Sequence, residues 1–213
     1  MSKIFIPAYW PMWKTANTFR RFDYTAIDDS MLPITSVFSY DKGTDSMLLT
    51  DYNAKLEIQD IWYYQYRVGQ GIAEWRDDYP SQRKKVVMDG AFGSPIMWGE
   101  YMDVGGDLID YPKMNPFLSS PPALASGVQI VHIEQHLDTW KNTVGTYNDV
   151  IVYTYLQSWS GHAAGGARYW AALGIGPVSL AWMAQDPVDP LRKPLITTSR
   201  MDAVISDITP LIS

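Results

Sequence analysis

The stretch Val131-His132-Ile133-Glu134-Gln135-His136-Leu137-Asp138 concentrates the groups best suited to chemistry in this chain. It holds two of the three histidines, and the third, His162, sits in a glycine-rich segment. Side chains of a strand alternate between faces. Strict alternation therefore puts His132, Glu134, His136 and Asp138 in one row, about 7 Å apart, with Val131, Ile133 and Leu137 behind them. Imidazole and carboxylate together suit acid–base work near neutrality, with His132 or His136 taking a proton and Glu134 or Tyr153 giving one. The same groups suit a divalent metal held by His132 and His136, although no spacing here matches a zinc motif such as H-E-x-x-H. A third reading is a glycan groove, in which Trp140 and Tyr155 stack on sugar rings while Asp138, His162 and Arg168 bind hydroxyls. The plain alternative to all three is the wet face of an antiparallel sheet, where alternating polar residues are ordinary.

Other motifs carry less. Ser119, Ser120 and Ser126 lack a nucleophile-elbow context. The Gly-x-Gly pairs at Gly69 and Gly174 lack the strand–helix setting of a dinucleotide site and read as turns. Asp103-Val-Gly-Gly-Asp107 offers loop oxygens for calcium but too few ligands for an EF-hand loop.

The elements that must position these groups are strands. Lys55-Leu56-Glu57-Ile58-Gln59 alternates, predicting a half-buried strand with Leu56 and Ile58 inward, continued by the β-prone run Ile61 to Tyr66. Gly69-Gln70-Gly71 permits a reversal, and Ile72 to Trp75 returns. Clear strands follow at Val128 to Asp138, Val150 to Gln157 and Pro177 to Met183. Between them, Asp110 to Gly127 reads as a long ordered loop. Residues 1–35, broken by Pro7, Pro11 and Pro33, read as an extended arm or edge strands. At the C-terminus, Ser199 at a capping position and Met201, Val204, Ile205 and Ile208 at helical intervals predict one short helix, stopped by Pro210. The expectation is a single all-β domain over residues 1–213, an antiparallel β-sandwich or jelly roll with that one helix.

Gly145-Thr-Tyr-Asn-Asp149-Val-Ile-Val, followed by Ala167-Arg-Tyr-Trp170-Ala-Ala-Leu-Gly174-Ile-Gly176-Pro-Val178, resembles a pattern in bacterial β-sandwich and half-barrel proteins of poorly defined function. The glycines of that pattern serve turn geometry, so the resemblance implies a β fold and no particular reaction.

Composition narrows the function classes. The formal net charge of −6 disfavours a broad nucleic-acid face. Cysteine is absent, which removes disulfides, thiolate nucleophiles and cysteine-ligated zinc together. No classical signal peptide is visible, and no stretch reaches the roughly 18 apolar residues of a membrane span, so the expectation is a soluble protein, cytoplasmic or virion-associated. Nine Trp and fourteen Tyr exceed what a core usually needs. Three functions fit that excess. The first is a carbohydrate-directed protein, a hydrolase or lyase working in an aromatic groove. The second is a virion, tail or surface-assembly protein, a homo-oligomer through its N-terminal arm. The third is a small-molecule binder or cyclase with an aromatic cavity.

Overall fold

Apolar and aromatic residues at alternate positions produce strand after strand, and no α-helix occurs among the described residues. The computed structural model describes residues 3–15, 17–28, 30–80, 84–88, 96–110, 113–116, 125–159, 165–184, 196–197 and 199–208. Its strands are β1 (Ile4–Phe5), β2 (Phe19–Ala26), β3 (Ile34–Asp41), β4 (Ser46–Tyr52), β5 (Ile58–Arg67), β6 (Gly71–Tyr79), β7 (Lys84–Met88), β8 (Ile96–Gly99) and β9 (Tyr101–Met102). They continue as β10 (Asp107–Asp110), β11 (Lys113–Pro116), β12 (Ala125–Lys141), β13 (Thr146–Trp159), β14 (Gly165–Ala172), β15 (Gly176–Ala184), β16 (Ile196–Thr197) and β17 (Met201–Ile208).

The all-β antiparallel fold is as the sequence implies, but the architecture is a barrel in place of a sandwich or jelly roll. Twelve strands pair in the order β12, β11, β7, β6, β5, β4, β3, β2, β17, β15, β14 and β13, and β13 pairs back with β12. The physical reason lies in the last strand. Consecutive hairpins build the wall from β2 to β7, and β17 then returns to lie along β2 over eight residue pairs, so that the wall nearly closes on itself. This also corrects the C-terminal helix. Val204, Ile205 and Ile208 are β-branched, and the free edge of β2 offers them a ladder that outweighs the helical spacing. Ser199 hydrogen-bonds Asp28 and caps nothing.

Three further local expectations change. Residues 53–57 form a turn in which Leu56 is exposed at φ 60°, so the strand begins only at Ile58. Within the predicted long loop, Lys113–Pro116 and the start of Ala125–Lys141 are strand, while 111–112 and 117–124 lie outside the described residues. Of residues 1–35, Phe19–Ala26 is an internal barrel strand and Ile4–Phe5 pairs with Tyr101–Met102. The Gly69 and Gly174 turns and the β14–β15 hairpin stand as read.

Between β1 and β2 the chain plugs one end of the barrel. A 3-10 helix, Ile6–Tyr9, leads to Trp10, whose ring lies 4.2 Å from that of Trp98 and within 6 Å of Phe38 and Tyr64. The turn of the β14–β15 hairpin closes on this plug through Gly174 N–H to the Ala8 carbonyl, 2.8 Å. Gly176 sits at φ 113°, where a Cβ would press on Pro11 and Phe22. Truncating Trp10 would cost about 3–5 kcal/mol, the usual range for a buried large aromatic.

The outer face is polar at mid-strand. Three strand segments repeat Arg-x-Asp, whose side chains share a face: Arg21–Asp23 at 2.8 Å, Arg76–Asp78 at 2.5 Å and Arg200–Asp202 at 2.8 Å. No described helix is long and apolar enough to cross a membrane.

Candidate functional site

Strand β12 does not alternate strictly. A β-bulge falls at Glu134, so that Ile133 pairs with Tyr153 and Gln135 with Val152. One extra residue reverses the facing of everything beyond it. His132 pairs with Thr154, whereas His136 pairs with Ile151, which shares its face with Tyr153. The expected single row is therefore split: His132 and His136 emerge on opposite faces of the wall.

Three members then have separate partners. His132 Nδ1 lies 2.6 Å from Asp107 Oδ1. Glu134 accepts from Arg168 at 3.0 Å on the outer face. His136 Nε2 lies 2.7 Å from Asp149 Oδ1, and the same oxygen accepts from Tyr9 Oη at 2.5 Å. The Tyr9 hydrogen bond, backed by that from His136, holds the Asp149 carboxyl below its ordinary value despite partial burial, while burial and the same bond push Tyr9 up. This trio joins the plug to the wall. Asp138 is exposed, and His162 lies outside the described residues. Among the described residues no three His, Asp or Glu side chains stand close enough to hold a metal ion.

Beyond the bulge and Asp149, at φ 52°, the β12–β13 hairpin rides over the outside of the barrel. There Trp140 stacks on Trp170 at 5.4 Å with Arg200 over its ring, and Val150, Ala172 and Val178 form a second small core. The hairpin tip covers the short β15–β17 ladder, which has only two paired positions. Asn142 Nδ2 donates to Val178 O and Ser179 Oγ. Asp202 accepts from Thr143 N and Oγ1 at 2.9 Å, Ser179 Oγ at 2.8 Å and Arg200. Burial alone would raise Asp202, but these hydrogen bonds hold it below the usual carboxylate range. Trp140 is thus a packing residue of this flap.

The interior is different. Above the plug the barrel holds an open-mouthed cavity of about 430 Å³, lined by Trp10 and Trp98 and by Trp62, Tyr64, Tyr155, Tyr169 and Trp182. That volume lies within the usual range for small-molecule sites. Among the described residues, Tyr155 is the one earlier candidate that lines it. Tyr153 lies in the core beside it, stacked on Tyr169 at 5.1 Å. Two acids face the same space: Asp51 on β4 and Glu74 on β6. Ser36 Oγ donates to Asp51 at 2.6 Å. Burial, against that hydrogen bond and aided by Asp60, pushes Asp51 to about 7. Burial and then Asp77 push Glu74 well above its ordinary value. These acids went unread because they sit in apolar phase. Asp51 follows Met47 and Leu49 at a spacing of two, and Asp60 precedes Trp62 and Tyr64 in the same way. An acid in the inward phase of neighbouring strands was the available signal. Comparison with protein-family models, curated proteins and solved structures finds no match to this chain.

Proposed function

We propose that the protein binds a small molecule inside the barrel, in the space above Trp10. The observation that carries this reading is the cavity itself: about 430 Å³, lined mostly by aromatic rings and by few polar groups. Close packing normally leaves no such void, and stable barrels of this kind use it for ligands. The carbohydrate-directed reading keeps a foothold in the same place. Rings can stack on a sugar and Asp51 and Glu74 can accept its hydroxyls, whereas the divided histidine row offers no groove.

The test is a titration with Nile red, a neutral dye whose emission brightens in apolar surroundings. One dye should bind per chain, quenching tryptophan fluorescence. Ala167 is buried, lines the cavity and pairs with Tyr155 and Trp182, so Ala167→Phe fills the space. Leu49→Phe does so from the opposite wall. Loss of dye binding in both, with far-ultraviolet circular dichroism retained, supports the reading. Unchanged binding in both would place the dye elsewhere and remove it. Neutral disaccharides run in parallel test the sugar alternative.

A further inference from the structure

We infer that the cavity takes a cation, an organic ammonium group on an apolar or aromatic body, seated between the rings of Trp62, Tyr64, Trp98 and Tyr155 and the carboxyls of Asp51 and Glu74. The inference rests on the cavity-binding reading and names the ligand's charge.

The wall supplies two carboxyls that no base among the described residues answers. Glu74 is 2% exposed, and no hydrogen bond from a described residue reaches its carboxyl. Asp51 receives one, from Ser36. No Lys, Arg or His is among the described residues that line the cavity. Elsewhere this chain partners its acids readily, as the repeated Arg-x-Asp pairs of the outer face show. A buried carboxyl is expensive unless paired or neutralised, so a cavity holding two of them is suited to a ligand that brings the missing charge. The rings point the same way. Their faces carry negative potential, and aromatic cages bind alkylammonium groups by that attraction, most strongly when desolvated.

An anion would find no base among the described lining residues to pair with and would oppose ionisation of Asp51 and Glu74. A neutral ligand would leave both carboxyls protonated. A cation displaces a proton instead: the carboxyl O–H bond breaks, the proton leaves to solvent, and the carboxylate pairs with the ammonium group. Burial, backed by neighbouring acids, holds both carboxyls up in the empty cavity, so this exchange is measurable in mildly acid solution.

The experiment is isothermal titration calorimetry at pH 6 in buffers of differing ionisation enthalpy, using 2-phenylethylamine, 2-phenylethanol and 3-phenylpropionate. The amine should bind at least about tenfold tighter than the alcohol and release protons, with no binding of the propionate. Glu74→Gln and Asp51→Asn should each weaken the amine about tenfold and leave the alcohol unchanged. Equal affinity for amine and alcohol, untouched by both substitutions, overturns the cation and leaves the cavity reading standing. Absence of amine binding in a protein that binds Nile red does the same. If neither the amine nor Nile red binds, both readings fall.

Discussion

Asp202, beneath the tip of the β12–β13 hairpin, collects hydrogen bonds from Thr143, Ser179 and Arg200, whereas Asp51, on the cavity wall, has one from Ser36. Glu74, nearby, has none from a described residue. Asp202 and Glu74 are buried, and Asp51 is half-buried on the cavity wall. The first carboxyl is held ionised by donors arranged around it, and the other two are held up by burial. Partnering decides what a buried acid does. Asp202 fastens one part of the barrel to another, while Asp51 and Glu74 are left to answer to whatever enters.

The largest expected effect tests the fastened acid. Asp202→Ala strands the Arg200 guanidinium and the Thr143 and Ser179 donors, and should cost about 3–5 kcal/mol in urea unfolding. A loss below 1 kcal/mol would erase the contrast. Next comes the pH profile of the empty protein. Asp51 is held at about 7 when folded and returns to an ordinary value when unfolded, so the native state holds the extra proton between these limits. Stability should therefore fall as pH rises from about 4 to 7, by up to about 4 kcal/mol from this group. Asp51→Asn should flatten that slope, and an unchanged slope would assign it elsewhere. Asp202 works in the opposite sense. Its contribution is present above pH about 4 and lost as pH falls through its lowered folded value, so the empty protein should be most stable in mild acid.

Smaller effects sharpen the distinction. Glu74→Gln removes a costly ionisation and should raise the midpoint of thermal unfolding near pH 8, by the equivalent of about 1–2 kcal/mol. A loss of stability there would mean that Glu74 is a structural partner after all. Asp107→Asn, which breaks the partly exposed contact with His132, should change stability by less than about 1 kcal/mol.

Much of the wall was legible in the sequence, for a local reason. The strand patterns in Ile61–Tyr66, Val150–Gln157 and Pro177–Met183 are a property of neighbouring residues, and Gly69 and Gly174 mark turns directly. The barrel was not legible, because its closure depends on β17 meeting β2, and no local pattern records that pairing. The histidine row failed for a narrower reason. One bulge at Glu134, invisible in the identities of its neighbours, moved His136 to the other face. The cavity acids were visible as residues, but their significance depended on three strands lying side by side. Of the described residues first singled out, Tyr155 alone lines that space.

The pairing of β2 with β17 has a consequence for how the chain reaches this state. It joins the first and last barrel strands, and its contact between Arg20 and Asp207 spans 187 positions of sequence. Contacts so distant reward the chain only after the intervening loop entropy has been overcome, so native structure in such a topology accumulates late. Hairpins such as β4–β5 and β14–β15 can form from nearby residues, but the cylinder cannot shut until its ends meet. The interior space is thus a late product of folding, and intermediates before that point expose the very rings that later face inward.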